Sequence, residues 1–350
     1  MLVQESLSEP AWTEKKVEVI ESVKQAYPTA SLGQLKQWAE EYGFANVHSF
    51  RRHMQKQGIK RTVEITRTTD YALSPKATWE EHLAAIRGMD RLTAIHQRVP
   101  TEITITYDTN KPICLVFSAD WQAGQFGVDY DAFETDMNAI ETEPGVFVDV
   151  GGDITQNIIQ ASKMNSAHNQ TPIPVQLGLA YLTIKKLRDK VNTLKTGNHD
   201  YWTTMLTGED WLGETAKRLN VIYTKHGARI NLRVGKQEYP YMSRHVGRYN
   251  STFNLTHSNK QEQRLNYPWA RFTVFEHLHV ADVEQYRYGD RECAAFRTGT
   301  YAVYDDFAQQ NGFYGAHVCN PAVILFPDRD KLVAFKDMHD AIIYLRAVRN

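Results

Sequence analysis

The chain has 350 residues and a formal net charge of −1, with 40 Lys and Arg set against 41 Asp and Glu. Hydrophobic residues make up 42% and aromatic residues 11%, enough for a large core and too many for a disordered or collagen-like chain. Three scattered cysteines (Cys114, Cys293, Cys319) exclude a disulfide framework and a Cys-x-x-Cys metal clip. The balanced charge excludes a surface uniformly basic enough to coat nucleic acid or membrane.

The first stretch, MLVQESLSEPAW, has neither a basic n-region nor an apolar h-region, so no secretion signal is expected. The longest apolar runs, Ile113–Phe117 and Ala322–Phe326, are strand-length. A membrane helix needs about 20 such residues. The expected setting is a soluble protein in the reducing cytoplasm, with no membrane partner.

Residues 1–61 are read as a small helical domain. Thr13 caps a first helix through Val17, Ile20 and Val23, which Pro28 ends. Ser31 caps a second helix with Leu32, Leu35 and Trp38 on one face. The turn Tyr42-Gly43-Phe44 leads into a third, giving a helix-turn-helix outline. From Phe44 to Arg61 the cations Arg51, Arg52, Lys56, Lys60 and Arg61 occur with no acidic residue, a composition suited to DNA phosphates or base edges. A solvated basic face on a helical cap is the alternative.

Residues 62–100 are read as a linker, with Ser74-Pro75 as its turn, followed by a helix from Thr78 to about Gln97. From residue 101 to 350, strands alternate with helices placed at 130–142 and 174–190, which indicates an α/β domain.

The residues just after each apolar strand carry the chemistry. Ile113–Ser118 leads into Asp120-Trp121-Gln122, and Val146–Val150 into Gly151-Gly152-Asp153. Val191–Thr196 leads into Gly197-Asn198-His199-Asp200, Tyr239–Arg244 into His245, and Phe272–Phe275 into Glu276-His277-Leu278-His279. Ligands of open α/β sheets bind beyond the carboxyl ends of strands, so the five loops are expected to converge. Mixed Asp, Asn, Gln and His donors suit Mn²⁺, Fe²⁺ or Zn²⁺ better than a Ca²⁺ cage. The absence of Cys argues against a structural zinc site.

In this order, Asp120-x-Gln122, Gly152-Asp153, Gly197-Asn198-His199-Asp200, His245 and His277-x-His279 resemble the signature of the calcineurin-like metallophosphoesterase family over residues 110–345. The overall character is similar to phage-encoded members. The resemblance implies a four-layer α/β sandwich with a dinuclear metal centre. One ion would be held by Asp120, Gln122, Asp153 and His279, and the second by the bridging Asp153 with Asn198, His245 and His277. His199 would contact phosphate or act as general acid, with Asp200 as its orienting partner.

The sequence departs from that pattern in two places and leaves a third open. Gln122 stands where the family usually has His, and Glu276 replaces a Gly before His-x-His. His257 competes with His245 for the fourth motif. The resulting expectation is a phosphodiesterase or nuclease acting on DNA through two divalent ions, Mn²⁺ foremost. The alternatives are a phosphomonoesterase on protein or small molecules, and a DNA-binding regulator whose phosphoesterase domain is inactive.

Overall fold

A computed structural model describes residues 18–62, 78–97, 99–159, 171–251, 253–304 and 317–349. Two compact units divide between Arg87 and Gly88. Thr13, the linker positions 63–77 and His168 lie outside the described residues.

In the first unit, α1 (Glu21–Ala26) follows an extended Ile20, so helix begins later than the apolar spacing suggests. A 3-10 turn (Tyr27–Thr29) precedes α2 (Leu32–Glu41). Ser31 Oγ accepts from Gln34 N while Gln34 Oε1 accepts from Ser31 N, a reciprocal cap that fixes the start of α2. Asn46 Oδ1 accepts from Ser49 N and starts α3 (Val47–Lys56). Leu35, Ala39, Phe50 and Met54 close a core in which Tyr27 and Phe44 pack edge-on against Phe50. Helix α4 (Trp79–Gln97) spans the division between the units and exposes Ile86, Met89, Leu92 and Ile95.

The second unit holds two six-stranded sheets. The first contains β2 (Ile113–Ser118), β3 (Val146–Val150), β4 (Val191–Lys195), β5 (Tyr223–Lys225), β11 (Ala322–Leu325) and β12 (Leu332–Phe335), in the order β12-β11-β2-β3-β4-β5. Its β2 to β5 run parallel, and β11 is antiparallel to β2. The second contains β1 (Glu102–Tyr107), β6 (Ala228–Val234), β7 (Gln237–Arg244), β8 (Phe272–Phe275), β9 (Asp282–Tyr288) and β10 (Arg291–Arg297), in the order β1-β6-β7-β8-β10-β9. Here β7, β8 and β10 are mutually parallel.

Alternation along β2 explains the layering. Leu115 and Phe117 face Ile230, Leu232, Phe272 and Phe296 of the second sheet. Cys114 and Val116 face outward to a core shared with α5 (Tyr130–Thr142), α6 (Ile173–Leu187), α8 (Trp211–Leu219) and α10 (Met338–Arg349). Between α6 and α8 lies α7 (Asn198–Thr207), which follows β4. The far face of the second sheet is covered by α9 (His257–Asn266). Asn259 Nδ2 donates to the carbonyls of Thr273 and Phe296, and Gln263 Nε2 to that of Ala270. Helix, sheet, sheet and helix make the four-layer α/β architecture implied by the resemblance. No helix among the described residues is long and apolar enough to cross a membrane.

Candidate metal centre

The carboxyl ends of β2, β3, β4, β7 and β8 point the same way, and the loops leaving them meet. Asp120, Gln122, Asp153 and His245 are buried there, while Asn198, His277 and His279 are partly covered. Their backbones are unusual. Asp120, Gln122, Asp153, His277 and His279 all have φ between 49° and 75°. For a residue with a Cβ, the left-handed region costs about 1 kcal/mol or more, and such strain concentrates at functional sites.

Each carboxylate is anchored through one oxygen and bare at the other. Asp153 Oδ1 accepts from His199 N at 2.8 Å, and Asp120 Oδ2 from His277 N at 3.0 Å. Among the described residues, Asp153 Oδ2, Asp120 Oδ1, Gln122 Oε1, Asn198 Oδ1, His245 Nε2 and His277 Nδ1 find no hydrogen-bond partner, although all six atoms are buried. Four of the six lie close together, with His279 Nε2 beside them. His245 Nε2 lies 3.1 Å from Asp153 Oδ2 and 4.0 Å from Asp120 Oδ1, His277 Nδ1 4.0 Å from Asp153 Oδ2, and His279 Nε2 3.3 Å from Asp120 Oδ1. Asp153, His245 and His277 form a group with all three ligand atoms within 4.8 Å of one another. Gly197 permits the close approach: a Cβ there would sit 2.0 Å from Asp153 Oδ1.

The electrostatics follow from burial and crowding. Burial pushes the Asp153 carboxyl up, but His245, His199 and His277 overrule it and hold the carboxyl well below the usual range. Burial pushes the His245 imidazole down, while Asp153, Asp120 and Glu276 draw it up to about 10. His245 Nδ1 stands 2.9 Å from the Gly151 carbonyl and donates to it, which turns Nε2 toward the two bare carboxylate oxygens. A cation between them would satisfy a cluster of buried polar atoms.

The flanking residues separate into distinct tasks. His199 Nδ1 stands 2.6 Å from the Gln156 carbonyl, and its ring packs on Trp202 at 4.2 Å between centroids. Asp200 does not orient His199, contrary to the expectation from the motif. Its side chain turns inward to accept from Gly197 N, which caps α7, and from Ile154 N, Thr155 N and Thr155 Oγ1 of the loop after β3, so it ties the two loops together. Burial, with Asp153 nearby, raises its pKa to about 7. His257 opens α9 with an exposed side chain, so His245 is the histidine that faces Asp153.

Two participants were not singled out from sequence as partners. Lys195 and Glu276 form a buried ion pair, Nζ to Oε1 3.5 Å, with Glu276 Oε2 3.7 Å from His245 Nδ1. The signal was present in the Glu that replaces a Gly and in a Lys ending an apolar strand, but neither names the other.

Of the cations expected at DNA, Arg52, Lys56 and Lys60 are exposed on the first unit. Arg51 and Arg61 are half-buried. Both lie beside Tyr27, whose phenol burial raises against their pull. Arg61 donates to the Ala30 carbonyl at 2.7 Å, which gives it a structural task.

No protein-family model matches the sequence, and no curated protein matches it. Solved structures do. The calcineurin-like phosphoesterase YfkN from Bacillus subtilis is 8% identical, with 68% of this chain and 100% of that chain covered at a TM-score of 0.33. A metallophosphoesterase from Sphaerobacter thermophilus is 14% identical over 67% of this chain and 95% of that chain, TM-score 0.31. The Pseudomonas putida nuclease MPE is 9% identical over 63% and 87%, TM-score 0.30. The solved structures to which this chain is similar thus include a calcineurin-like phosphoesterase and a metallophosphoesterase.

Proposed function

We propose that the chain is a metal-dependent phosphoester hydrolase, a phosphodiesterase or nuclease acting on DNA. Residues 101–350 would be the catalytic domain, residues 62–100 the connection and residues 1–61 the DNA-recognition domain. One observation carries the reading: among the described residues, buried donor atoms of Asp120, Gln122, Asp153, Asn198, His245 and His277 at the strand ends have no hydrogen-bond partner, and those of Asp120, Asp153, His245 and His277 lie close together.

The donor set fits two divalent cations. His279 lies nearest Asp120, while His245 and His277 lie nearest Asp153, which supports one ion on Asp120, Gln122, Asp153 and His279. The second rests on Asp153, Asn198, His245 and His277. Oxygen and imidazole donors without thiolate favour Mn²⁺, with Fe²⁺ or Zn²⁺ as the other candidates. Bound there, two such ions supply Lewis-acid polarisation of a phosphoryl oxygen and activation of water.

The chain's own residues do the rest. Asp153 and Asp120, each fixed by a backbone N–H, hold their free oxygens in place before substrate arrives. His199 is set by the Gln156 carbonyl at Nδ1, which leaves Nε2 to carry a proton to the leaving oxygen. Gln122, the residue behind the inactive-domain alternative, offers a buried Oε1 with no other partner, which favours ligation. The test is hydrolysis of bis-p-nitrophenyl phosphate by the full chain with added Mn²⁺, with D153A as the blank. Turnover above the blank is expected; equal rates would sink the reading.

A further inference from the structure

Beside the candidate centre opens a cavity of about 260 Å³ whose wall includes Asn198 and His245, so the cavity adjoins the centre. Its other walls come from Tyr201 on α7, His226 after β5, and Arg244 and Val246 at the end of β7. Among the described residues, no carboxylate lines it. Among the described residues, neither a hydrogen bond nor an ion pair occupies the Arg244 guanidinium. Outside the wall, Lys225 holds its Nζ 5.6 Å from the Tyr201 ring, on which His226 packs edge-on at 5.0 Å. Burial, Lys225 and Arg244 together hold the His226 imidazole below its ordinary value, against the pull of Asp210. The cavity is therefore electropositive on one side and aromatic on the other.

A small phosphomonoester needs no room beyond the reacting phosphate. A phosphodiester extends beyond the reacting phosphorus on both sides, and this cavity offers room on one of them. Resting on the phosphoesterase reading above, we infer that the cavity is a subsite for the phosphate next along a nucleic-acid strand from the reacting one. Arg244 is its anchor. The planar guanidinium fork matches phosphate oxygens, and Tyr201 and Val246 supply the apolar wall against which the intervening sugar packs.

Two chromogenic esters test this with the full chain and Mn²⁺: thymidine 5′-(p-nitrophenyl phosphate), and the same ester carrying a 3′-phosphate. The added phosphate is expected to lower KM at least ten-fold. R244A abolishes that gain while kcat on the plain ester stays within two-fold, and R233A, altered at the opposite end of β6, keeps the gain. The isomer with the ester on the 3′ side and a free 5′-phosphate probes the reverse strand polarity. No gain in either isomer, or equal loss on both plain and phosphorylated esters in R244A, overturns the subsite. If no ester is turned over, the hydrolase reading fails alone. Calorimetric titration with thymidine 3′,5′-bisphosphate in EDTA then decides the subsite: at least five-fold weaker binding by R244A upholds it, and unchanged binding removes it.

Discussion

Lys195 Nζ lies 3.5 Å from Glu276 Oε1 directly behind His245, and both side chains are at most 1% exposed. Gly151 makes room for the pair: a Cβ there would meet Glu276 Cδ at 2.5 Å. Glu276 also accepts from Ser243 Oγ at 3.4 Å. Burial raises the Glu276 carboxyl to about 7, against the pull of Lys195 and His245. A buried pair loses about 3–5 kcal/mol when one partner is removed, because the other charge is stranded, whereas removing both is often near neutral. K195M should therefore lower stability by about that amount and K195M/E276Q should recover most of it, read by urea unfolding. A K195M protein as stable as wild type would show that the pair is not ionised.

His199 and Asp200 are adjacent in sequence but should fail differently. Removing a general acid slows turnover roughly a hundred- to ten-thousand-fold where the leaving oxygen is basic, and far less where it leaves unaided. H199A should thus lose most activity on a dinucleotide and little on bis-p-nitrophenyl phosphate. D200A instead removes the acceptor that joins the Gly197 amide capping α7 to the Ile154–Thr155 loop and should lower stability by about 1–2 kcal/mol, with equal proportional losses on both substrates. A leaving-group dependence in D200A would restore it as the partner of His199.

The five loops were legible because strand ends are marked by apolar runs that stop at Asp, Gly, Asn or His. Their convergence needed only the parallel order of β2 to β4 and of β7 and β8. The role of Asp200 was not legible, since a capping acceptor and a histidine partner look alike beside Gly197-Asn198-His199. Nor was α9 foreseen. Its sequence HSNKQEQRLN has almost no apolar face, and it packs by burying Ser258, Asn259, Glu262 and Gln263, with Asn259 and Gln263 donating to backbone carbonyls of Thr273, Phe296 and Ala270. A period that tracks hydrophobicity cannot report such a helix. Lys195 and Glu276 are 81 positions apart, and only the fold brings them together.

The basic segment of the first unit makes a graded prediction. Neutralising a phosphate contact lowers the slope of log affinity against log salt by roughly 0.9 on duplex DNA. R52A/K60A should weaken duplex binding by the full chain and reduce the slope by about two. R61A should act mainly on folding, because its guanidinium ties the chain after α3 to the Ala30 carbonyl. A salt slope unchanged in R52A/K60A would remove these cations from any DNA interface.

Gln122 separates the backbone requirement of the centre from its chemistry. At φ 49° its backbone is strained for any residue with a Cβ, and glycine relieves that strain. Q122G should therefore be about 1 kcal/mol more stable than Q122A, since the two variants lack the same amide and differ in left-handed strain. Both should bind Mn²⁺ more weakly than wild type. The rise in melting temperature that Mn²⁺ gives a protein that binds it when folded should shift to at least ten-fold higher concentration in each. If Mn²⁺ raises the melting temperature of Q122G at the same concentrations as wild type, the buried Oε1 is not a ligand and the first ion rests on Asp120, Asp153 and His279 alone.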